Sequence, residues 1–194
     1  MILRIYQGDD AYAKSAREFN GMQWLYRAGY PVPQVLALER EASPFNKPIV
    51  LMERIDGEML WPIWFGAAGQ QQAEFLTQFC QLLVNLHTLD WRPYVDAASE
   101  DAIGAAQVTQ GTPYHYVDRF SKIGRQLVAG ASGSSFAPYL AWLEERRGTV
   151  PCHQPAPIHW DFHPANVLLC ENGAMVVIDW TQVEISEARF DLAW

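Results

Sequence analysis

The segment IHWDFHPAN packs His159, Asp161, His163 and Asn166 into eight consecutive positions. A further carboxylate, Asp179, closes the apolar run VVID and is followed by Trp180. An amide oxygen and a carboxylate held at one edge are hard oxygen ligands of the kind that Mg²⁺ takes. A second carboxylate beside them can accept or orient the proton of an attacking hydroxyl. Two other readings use the same residues. HWDFH has the look of an HxDxH zinc site for a hydrolase, which needs further His or Cys ligands. His153 is near in sequence, while His87 and His115 fall in helical stretches. Asp161 and Asn166 are also ordinary turn-capping types, and Asp179 could simply end a strand.

The elements around these residues decide whether they meet. NVLLC and AMVVID are apolar runs about an Asn172-Gly173 turn and predict a β-hairpin. Its open ends carry Asn166 and Asp179, so pairing makes these two neighbours, with Asp161 on the adjacent loop. Upstream, MILRIY predicts a strand and QGDD a turn with a helix cap. Phe19, Met22, Leu25 and Tyr26 have helical spacing within 10–28, and Gly29 sits at the expected C-cap. QVLALE and PIVLMER predict an antiparallel strand pair around a loop at Pro44–Pro48. IDGEMLWPIWFGAAG reads as a connector without periodicity. An apolar stripe of Phe75, Phe79, Leu82, Leu83, Leu86 and Leu89 predicts a helix over 71–89. A polar loop is expected over 96–112, a helix through Val117, Phe120, Ile123 and Leu127, a break at ASGSS, and a short helix from Phe136 to Gly148.

Composition narrows the class. The 194 residues are 49% hydrophobic and 19% charged, which is a globular balance. The net charge of −8 argues against duplex nucleic acid as the main partner. That charge is uneven: residues 1–58 carry 7 basic and 8 acidic side chains, and residues 59–194 carry 7 and 14. The excess is either a solvated surface or an acidic cleft that draws a cationic small molecule. Three cysteines without a CxxC pair fit a reducing cytoplasm. No run approaches the roughly 20 apolar residues of a membrane span, and no protein partner is inferable.

HxDxxxxN, a short hairpin and IDW together resemble the catalytic segment of the aminoglycoside phosphotransferase family, which is related to choline and homoserine kinases. FCQLLVNLHTLD, VLMERIDGEML, PVPQVLAL and RFDLAW are similar to other segments of that family. The resemblance implies an α+β, protein-kinase-like bilobal fold, with a strand-rich lobe at 1–56 and a mostly helical lobe at 57–194. It implies transfer of the γ-phosphate of ATP, with Mg²⁺, to a hydroxyl of a small molecule. Asp161 is then the catalytic carboxylate, and Asn166 and Asp179 hold Mg²⁺. Arg4 takes the lysine position that meets the α/β-phosphates, paired with Glu18 on the following helix. Glu53 and Ile55 meet adenine through backbone carbonyl and amide. His159 supports the catalytic loop, and Asp191 hydrogen-bonds it.

The sequence departs from the family pattern at both ends. It starts at the strand with Arg4, without the two strands and phosphate-covering loop expected before it. It stops at Trp194, ahead of the expected further helices. The expectation is therefore a piece with an incomplete β-lobe and an incomplete helical lobe, exposing Ile2, Ile5, Leu192 and Trp194. A nucleotide-binding remnant without turnover is the alternative to an active kinase, and a zinc hydrolase is more distant.

Overall fold

The computed structural model describes residues 1–41, 43–97, 113–130 and 133–192. Most of the polar loop expected over 96–112, part of ASGSS and Trp194 lie outside the described residues. The described chain is α+β, with eight strands in three small sheets and six α-helices.

Strand β1 (Ile2–Ile5) leads into helix α1 (Ala11–Arg27). Asp10 stands at the N-cap, but its side chain makes no capping bond and instead pairs with Lys14 Nζ at 3.0 Å. The cap expected there is replaced by an i,i+4 ion pair. The other end follows expectation: Gly29 N–H donates to Tyr26 O and Tyr30 N–H to Leu25 O, a Schellman closure. Strands β2 (Val35–Glu39) and β3 (Ile49–Met52) pair antiparallel, and β1 joins the free side of β3, giving the order β1-β3-β2. On the edge strand β1, Ile2 is 46% and Ile5 38% exposed; Leu192 is 64% exposed.

The segment read as a connector is ordered. Residues Gly57–Met59 form β4, and Leu60–Gly66 form helix α2. Pro62 lies in the first turn of α2, where its missing N–H costs no helical bond. Pairing of β4 with a distant strand, β6 (Val167–Cys170), supplies the order that local periodicity lacks. Helix α3 (Gln70–His87) follows, then α4 (Arg92–Ala97), α5 (His115–Ala129) and α6 (Ala137–Arg146).

The hairpin forms between β6 and β7 (Met175–Val177), in the register Val167↔Val177. Its loop is longer than a two-residue Asn-Gly turn. Gly173 N–H donates to Cys170 O, and Gly173 alone takes positive φ, at 81°, with Asn172 outside that region. This is a type I turn with a glycine bulge. Two short strands that carried no sequence signal, β5 (Ala156–Ile158) and β8 (Glu184–Ser186), pair antiparallel and flank the loop with Asp161.

One apolar cluster joins these parts. Met22 and Leu25 of α1, Val50 and Met52 of β3, Leu82 and Leu86 of α3, and Val167, Val177 and Trp180 around the hairpin belong to it. Helix α1 approaches the chain after the hairpin so closely that a Cβ at Gly21 would lie 2.4 Å from Val183 Cγ1. Gly21→Ala is expected to lower stability by about 1–3 kcal/mol in urea unfolding. Val183→Ala in the same chain should recover part of the loss. No loss in the single variant would mean that α1 does not rest on Val183.

Candidate active site

The loop with Asp161 is shaped by one buried carboxylate. Asp191 accepts the backbone N–H of His159 at 2.9 Å and of Trp160 at 2.7 Å, and faces His87 Nε2 at 3.0 Å. His87 ends α3, so the helix, the loop and the 3-10 turn Ala188–Leu192 meet at this group. The sequence places His87 in a helical stretch and assigns it no role at the site; its place in LHTLD is the available signal. Trp160 takes φ of 71°, in the left-handed region, and its indole N–H donates to Glu184 Oε2 at 3.0 Å. Bonds from backbone and side chain thus hold a conformation that a bulky residue rarely adopts.

His159 is fully buried. Its Nε2 lies 2.9 Å from Ile178 O, and the Asp161 N–H points at its Nδ1 at 3.3 Å. A proton on Nε2 satisfies both, so the neutral ring pins the start of the Asp161 loop to the end of the hairpin. Burial lowers the His159 pKa, against the Ile178 carbonyl and the nearby Asp191, which raise it. The unfolded chain therefore takes up this proton more readily than the native one. Stability from His159 is present above the unfolded imidazole pKa of about 6.5 and is lost as pH falls through the lower folded value. Burial raises Glu18 instead, so that carboxyl acts with the opposite sign. Tm is expected to fall on acidification below about pH 6.5, and His159→Gln should flatten that slope. An unchanged slope in the variant would remove His159 as its source.

Asp161 and Asn166 are joined directly. Asn166 Nδ2 donates to the Asp161 carbonyl at 3.0 Å and to Asp161 Oδ2 at 3.1 Å. These bonds use the amide nitrogen and leave the amide oxygen out of them. His163 Nδ1 accepts the Ala165 N–H at 3.1 Å, and its Nε2 lies 3.2 Å from Asp161 Oδ1 and 3.5 Å from Asn166 Nδ2. Ile178 N–H donates to Asn166 O at 2.9 Å and closes the open end of the hairpin.

Asp179 follows at φ of 66°. The fully buried Trp180 behind it anchors the turn through an indole bond to Val177 O and an edge contact with the His159 ring. Arg4 reaches this point from β1. Its Nη2 lies 2.8 Å from Asp179 Oδ1, and its Nη1 2.7 Å from Glu18 Oε1. Glu18 is buried on α1, and the Tyr6 hydroxyl donates to its other oxygen. One guanidinium thus spans a buried and an exposed carboxylate. Glu53 and Ile55 lie just past β3, the partner of β1. Glu53 N–H is taken by Gln34 O, and no backbone bond takes the Glu53 carbonyl or the Ile55 amide among the described residues.

The donor set at the hairpin is an amide oxygen and carboxylates. Among the described residues no three His, Cys, Asp or Glu side chains assemble into a metal-holding group, so the zinc reading finds no ligand set there. Hard oxygens at Asn166 and Asp179 fit a Mg²⁺ that takes its remaining ligands from phosphate and water. Several acidic groups of the second half are engaged elsewhere, in the pairs Arg119–Glu184, Arg125–Glu144, Arg147–Asp118 and Arg189–Glu187.

Comparison with known proteins bears on this geometry. The phosphotransferase enzyme family matches the chain over residues 1–194. The chain belongs to this family. Among solved structures, the chain resembles APH(2")-IIia in complex with GDP and kanamycin, with a TM-score of 0.72 and 15% identity over 99% of this chain and 64% of that one. It also resembles choline kinase LicA from Streptococcus pneumoniae, with a TM-score of 0.56 and 16% identity over 98% of this chain and 59% of that one. These likenesses establish the protein-kinase-like fold. A mouse (Mus musculus) protein, acyl-CoA dehydrogenase family member 10, is 28% identical over 92% of this chain and 16% of its own length. The chain thus spans less than two thirds of each of these relatives. No helix among its described residues is long and apolar enough to cross a membrane.

Proposed function

We propose that this chain carries ATP- and Mg²⁺-dependent transfer of a γ-phosphate to a hydroxyl of a small molecule. The carrying observation is the meeting of Asp161, Asn166 and Asp179 at the open end of one hairpin, with Arg4 arriving from the other sheet. Family membership and relatives solved with GDP or ATP support nucleotide use. In this reading the nucleotide lies between residues 1–56 and 57–194. The Glu53 carbonyl and Ile55 amide take adenine, and Arg4, steadied by Glu18, takes the α/β-phosphates. Asn166 and Asp179 hold Mg²⁺, which when bound neutralises charge on the phosphates. Asp161 orients the acceptor hydroxyl and takes its proton as the oxygen attacks the γ-phosphorus. The bond from that phosphorus to the bridging oxygen breaks, and ADP leaves with the electron pair. His159 and Asp191 keep the Asp161 loop in place. Three free thiols suit a reducing compartment such as the cytoplasm.

Calorimetric titration of the chain with ATP, with and without MgCl₂, tests this reading. Saturable binding strengthened by Mg²⁺ is expected. No binding under either condition would end the kinase reading, and binding without transfer to any hydroxyl compound would favour a nucleotide-binding protein.

A further inference from the structure

A cavity of about 640 Å³ opens beside the Asp161 loop, large enough for a drug-sized molecule. Trp61 and Trp64 of α2, Phe79 of α3 and Phe162 of the loop line it. The rings form a continuous wall: Trp64 meets Phe79 edge-on at 5.4 Å, and Phe79 meets Phe162 at 4.9 Å. The remaining wall is the stretch His163–Ala165. Among the described residues, no Asp, Glu, Lys or Arg lines it. At the α2 face the apolar surface continues outward, with Trp61 47% and Phe65 65% exposed and their rings 4.6 Å apart.

The cavity is continuous with the reacting centre through one residue. His163 lines it, and Nε2 of that residue lies 3.2 Å from Asp161 Oδ1. A molecule seated among the aromatic rings has a short path past His163 to Asp161. The wall chemistry limits what that molecule is. A polycation would need carboxylates to offset its desolvation, and the lining offers none. Aromatic rings alone attract a single cation, but the adjacent carboxylate of Asp161 already accepts from Asn166. Four rings and almost no polar surface favour a flat or chain-like apolar body by area burial and ring stacking.

We propose that the acceptor is an uncharged alcohol on an apolar, preferably aromatic, body that seats in the cavity between α2, α3 and the Asp161 loop. The proposal rests on the kinase reading for the fate of the hydroxyl and on the cavity for the class of compound.

The test is calorimetry on the full 194-residue chain with MgADP present, titrating 2-(2-naphthyl)ethanol, choline and kanamycin separately. The naphthyl alcohol is expected to bind saturably, and choline and kanamycin to bind more weakly or not at all. Ala165→Phe, which fills the cavity, and Trp64→Ala, which removes a wall, should each weaken the naphthyl alcohol by about tenfold. A cooperative thermal melt, measured in the same variants, reports whether they fold. Tighter binding of choline or kanamycin, no binding of the naphthyl alcohol, or equal binding in both folded variants would overturn the proposal. If the naphthyl alcohol binds in a cavity-dependent way and MgADP does not bind, the kinase reading fails and the ligand class stands.

Discussion

Asp161→Asn is expected to cut phosphoryl transfer by about 10²–10⁴-fold and to leave MgADP affinity unchanged. The carboxylate is placed for this by three contacts. Its own backbone N–H points at His159, one of its oxygens accepts from Asn166, and the other lies beside His163. An amide can supply only one of the two acceptor positions, so the variant changes local bonding as well as charge. The nucleotide affinity is therefore the control: if it falls together with turnover, the loop has been disturbed and Asp161 has not been tested. Transfer at the unmodified rate, with affinity intact, refutes the assignment of Asp161 as the base.

Removing Asp179 is expected to abolish the gain in ATP affinity that Mg²⁺ gives. Asp179→Ala alone is an ambiguous probe, because Ala at a φ of 66° adds backbone strain of about 1–2 kcal/mol. Asp179→Asn keeps a residue that tolerates the left-handed region and one oxygen, while losing the charge. Both variants should bind ATP equally with and without MgCl₂, with Asp179→Asn melting closer to the parent. A full Mg²⁺ effect in a folded Asp179→Asn chain would take the charge of Asp179 out of the metal role.

Much of the scaffold was legible because its signals are local. The hairpin was readable from two apolar runs and a glycine, and α3 from six apolar positions on one stripe. The α1 terminus was readable from Gly29. What escaped depends on partners far along the chain. Strand β4 exists because Leu168–Cys170 pairs with it, and its own sequence has no alternation to show. The three-residue strands β5 and β8 are too short for a period. Asp10 illustrates the opposite failure: a capping residue type is present, and a nearby lysine takes its carboxylate. Within the site, spacing brought Asn166 and Asp179 to one hairpin, but it could not show His163 against Asp161 or His87 against Asp191. Neither contact has a sequence period. The left-handed backbone of Trp160 was also silent, since a bulky residue rarely adopts it.

The double engagement of Arg4 has a thermodynamic consequence. In the protein alone its guanidinium occupies an oxygen of Asp179, the group proposed to hold the metal. A lone Mg²⁺ must displace that positive fork and leave it only Glu18. Phosphates offer the fork a replacement anion, so the exchange becomes a trade of partners with little net loss of charge pairing. Under the proposed function, metal and nucleotide would then strengthen each other's binding, and by linkage the enhancement would be the same whichever arrives first. In the proposed kinase, the bridge between β1 and the hairpin would make the site a coincidence detector, tuned to the complex of the two ligands over either one alone.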